Sequence, residues 1–197
     1  FADPDPILAD IKALVLSGDF TLGKATVEFE ERFAKLIGTK YAIGVNSGTD
    51  ALFLSLKAVG IGQGDEVITT ANTFVATVGA IETAGARTVF VDCNDKYVMD
   101  VEQVESAITD KTKAIMPVHY SGQPVEMDKI MALAEKYNLH VIEDACCAIG
   151  ASYQGQNCGT IGTTGAFSLH PLKNLNVWGD GGIITTNSEE VRDRLHL

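Results

Sequence analysis

The sequence predicts an α/β domain built on a buried, seven-stranded, mostly parallel sheet flanked by helices. Helical and strand signals alternate from one end to the other, which is the pattern of such domains. The seven strand-like runs are short, rich in Val and Ile, and mostly separated by helical stretches, as expected for strands covered on both faces. No repeat, low-complexity tract or Pro/Ser-rich linker divides the 197 residues, so residues 1–197 are read as one domain.

The elements follow in order. From Pro6 to Leu16, Ile7, Ile11, Leu14 and Val15 share one helical face, and the pattern stops at Gly18. A second helix is expected from Thr26, as N-cap, through Phe29, Phe33 and Leu36 to Gly38. Tyr41–Val45 reads as a strand, and Asp50–Val59 as a helix closed by Gly60. Six more strands are expected at Glu66–Thr70, Thr88–Val91, Ala114–Val118, His140–Glu143, Ala166–Leu169 and Gly182–Thr186. Helical patterns at Val75–Ala84, Val101–Ile108 and Met127–Tyr137 lie between most of them. Only loop separates the last two strands, so an antiparallel pairing is open to one of them.

Composition narrows the function. Apolar residues at 46% and charged residues at 21% describe a folded protein rather than a disordered one. Fifteen Lys and Arg against 26 Asp and Glu give a net charge of −11 without a basic cluster, which argues against nucleic acid and anionic membranes as partners. No apolar run approaches the roughly 20 residues of a membrane span, and no secretory leader is visible, so a cytoplasmic location is expected. Cys146 and Cys147 are adjacent, Cys93 and Cys158 isolated, and no Cys-x-x-Cys pair exists, which reads as reduced thiols. The first residue is Phe1 rather than Met, and the last residues keep a helical pattern. A piece of a longer protein is therefore expected.

In parallel sheets ligands sit beyond the carboxyl ends of the strands, so residues just after strands carry the information. Asn46-Ser47-Gly48-Thr49 follows the first strand and opens a helix. Unpaired first-turn N–H groups, the helix dipole, two hydroxyls and Gly48 suit a phosphate there; a plain Ser or Thr helix cap is the alternative. Gly18–Lys24 nearly spells a phosphate-binding loop but follows a helix and lacks the Ser or Thr that holds magnesium, and Gly60–Gly64 lacks dinucleotide-binding spacing. Val141-Ile142-Glu143-Asp144 ends an apolar strand in two carboxylates on opposite faces, one free to meet the site. A buried carboxylate there calls for a cationic partner. Lys173 follows Phe167–Leu172 and precedes the glycine-rich Gly179–Gly182; apolar neighbours are expected to lower its pKa, as Schiff-base chemistry requires, and a surface loop lysine is the alternative. A phosphate cradle, a strand-end Asp and a lysine are the three anchors of pyridoxal 5′-phosphate, with Phe74 available to stack on its ring. The four histidines are scattered and form no metal set, and no Gly-x-Ser-x-Gly elbow occurs.

At these residues the sequence resembles the DegT/DnrJ/StrS family of sugar aminotransferases, of the fold-type-I pyridoxal-phosphate architecture. The likeness runs from Gly18–Gly23 and Phe29-Glu30 through Asn46–Leu52, Gly64–Ile68 and Thr73–Thr77. Pro117–His119, Glu143–Ala145 and Ser168–Gly182 complete it. The resemblance implies that Lys173 forms the Schiff base and shuttles the proton, that Asp144 pairs with the pyridinium nitrogen, that Gly48, Thr49 and Ser168 bind the phosphate, and that Phe74 stacks on the ring. It implies an amino group moved, from glutamate, to the keto group of a nucleotide-linked deoxysugar. It further implies homodimers with shared active sites and a small C-terminal domain beyond the given chain. Cys147 stands where the family usually has Gln or His near the ring hydroxyl. A pyridoxal-phosphate sugar dehydratase, in which relatives carry His at the Lys173 position, and a non-catalytic regulatory protein are the alternatives.

Overall fold

The computed structural model describes residues 3–196. Its main sheet has seven strands: β1 (Tyr41–Val45), β2 (Glu66–Thr70), β3 (Arg87–Val91), β4 (Thr112–Met116), β5 (His140–Asp144), β8 (Thr164–Ser168) and β9 (Gly182–Thr186). Their spatial order is β1-β9-β8-β5-β4-β2-β3. β9 runs antiparallel to both neighbours, β1 and β8, and every other pairing is parallel. The antiparallel strand is thus the last, where loop replaces a crossover helix. A small hairpin, β6 (Ser152–Tyr153) and β7 (Gln156–Asn157), was not expected from sequence. Its turn places Gln154 at φ 48° and Gly155 at φ 83°, a two-residue turn whose Gln-Gly pair is a weaker signal than Asn-Gly.

The described residues form seven α-helices: α1 (Asp5–Ser17), α2 (Lys24–Ile37), α3 (Gly48–Ala58), α4 (Val75–Ala84), α5 (Val104–Ala107), α6 (Met127–Tyr137) and α7 (Glu189–Leu195). Side chains alternate across each strand, so neighbours belong to different cores. Val67, Met116, Ile142, Ala166 and Ile184 pack with α3 and α4 through Leu52, Leu56 and Ile81. Ile68, Ile115 and Val141 face α5 and α6 through Val104, Ile130 and Ala134. Phe167 and Ile183 meet α2 at Phe33, with the Phe33 and Phe167 rings edge-on at 5.2 Å. Burying each such aromatic or aliphatic side chain contributes about 1.5–3 kcal/mol.

Several boundaries moved by a few residues. α3 starts at Gly48, two residues before the expected Asp50, because Ser47 caps it, and α2 starts at Lys24 with Gly23 before it, so Thr26 lies inside the helix. The expected Val101–Ile108 helix is a 3₁₀ turn, Val101–Gln103, followed by α5. β4 lies two residues earlier than expected and β8 is likewise displaced, while Val118 keeps only an isolated bridge to Asp144. α1 buries none of its residues despite its apolar face. No helix among the described residues is long and apolar enough to cross a membrane.

Candidate active site

With β9 alone reversed, the other six strands point one way and their carboxyl ends share one edge of the sheet. A cavity of about 300 Å³ opens there. Gly48, Thr49, Phe74, Asp144, Ser168 and Lys173, singled out by the sequence from four separate segments, all line it. A wider open groove along α1 and α2, bordered by Leu14, Leu22, Val27 and Phe29, collects no comparable set.

Asp144 closes β5 on the same face as Ile142, toward α3 and α4, and is 6% exposed. Its main chain is pinned on both sides: the Asp144 N–H donates to Pro117 O at 2.9 Å, and its carbonyl accepts the His119 N–H at 3.0 Å. The carboxylate accepts from Thr77 Oγ1 at 2.7 Å and from the Cys146 N–H at 3.2 Å. Both donors are neutral; a cationic partner of the kind expected from sequence is not among its hydrogen bonds in the described chain.

Glu143 points to the opposite face and is fully buried. It accepts the N–H groups of Gly159 at 2.7 Å, Ile161 at 2.7 Å and Gly162 at 2.6 Å, and it meets His119 Nε2 at 3.0 Å. The Val125 N–H donates to His119 Nδ1 at 3.2 Å, which requires a lone pair there and puts the ring's proton on Nε2. Burial opposes a charged ring, whereas the hydrogen bonds and charges of Cys158 and Glu143 favour one and would put its pKa at about 9 if Nδ1 were free to take a proton. The Val125 N–H decides for the neutral ring, because a second proton on Nδ1 would collide with it.

The start of α3 forms the second wall. Ser47 Oγ accepts the Asp50 N–H and donates to Asp50 Oδ2, both at 3.0 Å, so the cap expected as the bland alternative is present. It satisfies the third N–H of the helix; those of Gly48 and Thr49 precede it, in the turn that has no intrahelical acceptors. A Cβ on Gly48 would stand 2.7 Å from Ser168 Cβ and 2.9 Å from Cys146 Sγ. Only glycine lets the end of β8 approach the helix start this closely. Cys146 sits behind this contact, where burial and then the Asp144 charge push its thiol well up, so it is inert.

Lys173 lies on the loop between β8 and β9, which closes by Leu169 N–H to Gly181 O at 2.7 Å and Val177 N–H to Leu169 O at 3.0 Å. The Lys173 N–H donates to His170 O at 2.8 Å, and Asn176 Nδ2 to Lys173 O at 3.1 Å, so the backbone of this residue is held. Its ammonium donates to Cys147 Sγ at 2.9 Å. The expected lowering of its pKa does not occur. Burial acts in that direction, but the hydrogen bond and charge of Cys147, with the charges of Cys146 and Asp144, outweigh it and raise the value. Phe167 and Leu169 enter the core, whereas Leu172, next to Lys173, is 87% exposed, and the ammonium itself faces acidic and sulfur groups.

Phe74, at the N-cap of α4, is 73% exposed and lines the cavity. Sequence reading missed Thr77, one turn into α4, whose hydroxyl lies 2.6 Å from that of Thr73. Thr73 precedes the N-cap and Thr77 lies in the first turn, and nothing in their spacing points to Asp144. Among the described residues no group of three or more His, Cys, Asp or Glu is placed to hold a metal ion.

The profile of the DegT/DnrJ/EryC1/StrS aminotransferase family matches residues 3–197. A UDP-N-acetyl-3-dehydro-alpha-D-glucosamine 3-aminotransferase of Acidithiobacillus ferrooxidans is 46% identical, across 97% of this chain and 52% of its own length. A pleiotropic regulatory protein of Geobacillus stearothermophilus is also 46% identical, over the same shares. A solved structure from Bacillus subtilis, with bound cofactor PMP, superposes with a TM-score of 0.91 at 36% identity, covering 97% of this chain and 43% of that one. The chain thus spans about half the length of the curated relatives it matches. By its profile match and by these relatives, the chain belongs to the DegT/DnrJ/EryC1/StrS aminotransferase family.

Proposed function

We propose that the full-length protein is a pyridoxal-phosphate-dependent aminotransferase that moves an amino group, from glutamate, to the keto group of a nucleotide-linked deoxysugar. The observation that carries this reading is the convergence of Lys173, Asp144 and the Gly48–Ser168 contact on one cavity.

The residues present fit the cofactor at three points. Asp144 is a buried carboxylate with neutral donors only, which suits a cationic ring N–H. The start of α3 offers first-turn N–H groups beside two hydroxyls, Thr49 and Ser168, the latter brought close because residue 48 has no Cβ, which suits a phosphate. Lys173 supplies the one amine among the cavity residues. When bound, pyridoxal phosphate supplies an electron sink for charge developing at the amino carbon of the substrate.

The chain's own groups then have distinct tasks. Gly48, Thr49 and Ser168 hold the phosphate, Phe74 covers a face of the ring, and Asp144 keeps the proton on the ring nitrogen. Lys173 Nζ would hold the cofactor at its aldehyde end and, when free, would be the base that takes the proton from the donor's Cα. The same nitrogen would return a proton at the other end of the transfer and would serve the keto acceptor in the reverse sense. Lys173 must first shed its ammonium proton, and Cys147 Sγ at 2.9 Å is the group that proton faces.

Substrate class and assembly rest on the relatives and on the sequence resemblance. A net charge of −11 suits an anionic nucleotide-sugar only if positive groups come from elsewhere. We assign them to the remainder of the full-length chain, including its small C-terminal domain, and to the second subunit of a cytoplasmic homodimer. The relative named as a regulatory protein favours a second reading, in which the fold is kept without turnover.

An absorbance spectrum of the full-length protein with pyridoxal phosphate, then with glutamate, tests the proposal. A band near the visible edge that collapses to the near ultraviolet on adding glutamate supports transamination. A stable band favours the regulatory reading, and no band in folded protein removes Lys173 from its role.

A further inference from the structure

We infer that Thr77, backed by Thr73, is a positioning residue that sets the plane of the Asp144 carboxylate and locks it to the segment bearing Phe74. The inference rests on the pyridoxal-phosphate reading above and adds a residue to it.

A carboxylate at a strand end has no intrinsic preference of plane, because its terminal torsion is broad. The strand fixes where Asp144 begins, not how its oxygens are turned. Two donors do that. The Cys146 N–H, two residues on, reaches Oδ1 at 3.2 Å. The Thr77 hydroxyl reaches Oδ2 at the shorter 2.7 Å from across the site, 67 residues away in the chain. Thr77 and Asp144 are 0% and 6% exposed, so water cannot readily replace that donor.

The direction of the bonds follows from valence. An ionised carboxylate only accepts, so the single proton of Thr77 goes to Asp144. The 2.6 Å contact between Thr73 and Thr77 must then have Thr73 as its donor. The chain runs one way, Thr73 to Thr77 to Asp144, and occupies one lone pair on Oδ2. With Oδ1 accepting one N–H, lone pairs remain on both oxygens for a ring N–H in the cavity.

The same two threonines bracket Phe74. Thr73 precedes it and Thr77 lies three residues after it, at the start of α4. The carboxylate and the ring, which would hold the same planar ligand at its edge and its face, are thereby joined in one bonded unit. Sequence alone separates them by 70 positions.

The test uses the full-length protein and pyridoxal phosphate, with Thr77→Val, which removes the hydroxyl at constant shape, and Thr77→Ser, which restores it. Three quantities are read: the dissociation constant, the visible circular dichroism per bound cofactor, which reports fixed orientation, and the split between kcat and KM for the amino donor. Thr77→Val is expected to weaken binding by about tenfold, the loss of one charge-assisted hydrogen bond. It should reduce the dichroism at least about twofold and lower kcat with KM little changed, as for a group acting through Asp144. Thr77→Ser should stay within about threefold of the unaltered protein, the scale of a bond retained with a lost methyl. Unaltered dichroism and affinity in Thr77→Val overturn the inference, as does a Thr77→Ser variant no better than Thr77→Val, which would assign the effect to packing. Should Thr77→Val fail to fold, Thr73→Val takes its place, with a smaller loss of dichroism expected and no loss overturning the inference. Failure of the unaltered protein to bind pyridoxal phosphate overturns the functional proposal and this inference together. Normal binding with an indifferent Thr77 overturns this inference alone.

Discussion

Glu143 and Asp144 are neighbours at the end of one strand, both carboxylates and both buried, yet their surroundings are opposite. Glu143 has three backbone N–H groups and His119 around it, and its oxygens hold the Gly159–Gly162 loop and the turn after β4 in place. Asp144 has two neutral donors and faces a cavity. Strand parity alone sends them to different sides, since Val141 and Ile142 before them already belong to different cores. A saturated buried charge acts as a fastener. A buried charge left with open lone pairs beside a cavity is built for something that is not part of the chain.

Exchanging the two roles is the strongest way to break that contrast. Asp144→Asn in the full-length protein keeps an acceptor for Thr77, so we expect stability within about 1 kcal/mol of the original. Transaminase turnover should fall about 10²- to 10³-fold, the usual scale for removing a charge aimed at the reacting group. Glu143→Ala should do the reverse. It strands three N–H groups and the His119 proton, each costing about 1–3 kcal/mol when left unpaired, against a total stability of about 5–15 kcal/mol. Thermal unfolding should show a large drop or no folded state. Glu143→Gln, which keeps one carbonyl acceptor, should fall between. Equal stability of Asp144→Asn and Glu143→Ala would remove the distinction.

Gly48→Ala sharpens the comparison on the Asp144 side. Its Cβ would meet Ser168 Cβ at 2.7 Å, so the start of α3 and the end of β8 must separate. Overpacking of this kind costs about 1–3 kcal/mol. Pyridoxal phosphate should bind about tenfold more weakly or worse, while pyridoxal, which has no phosphate, should bind as before. Equal weakening of both ligands would place the phosphate elsewhere.

Much of this was legible in the sequence because strand ends are legible. Periodicity located seven strands, the rule that ligands gather beyond their carboxyl ends pointed to Ser47–Thr49, Phe74, Asp144 and Lys173, the family resemblance added Ser168, and the structure brings these onto one cavity. What the sequence hid depended on partners far along the chain. Nothing local to Lys173 says that its ammonium faces Cys147, so the apolar run before it suggested a lowered pKa where the value is raised. Thr77 sits in an unremarkable helix start until Asp144, 67 residues later, is folded against it. The unburied apolar face of α1 reads as an ordinary core helix for the same reason: periodicity reports a face, not what covers it.

The smallest expected effect concerns His119, on the Glu143 side. A ring charged with a pKa of about 9 would contribute stability that is fully present below the ordinary value of 6.5 and lost as pH rises through about 9. The bond from Val125 argues that no such proton is there to lose, because Nδ1 is already an acceptor. Denaturant midpoints should therefore show no His119-dependent decline over that window, and nitrogen NMR near about pH 7 should find the neutral tautomer with its proton on Nε2. A doubly protonated ring, with stability falling toward pH 9, would turn the fastener into an ion pair. Glu143 would then owe its burial to a cation, as Asp144 does in the proposed complex, and the two carboxylates would differ only in whether that cation belongs to the chain.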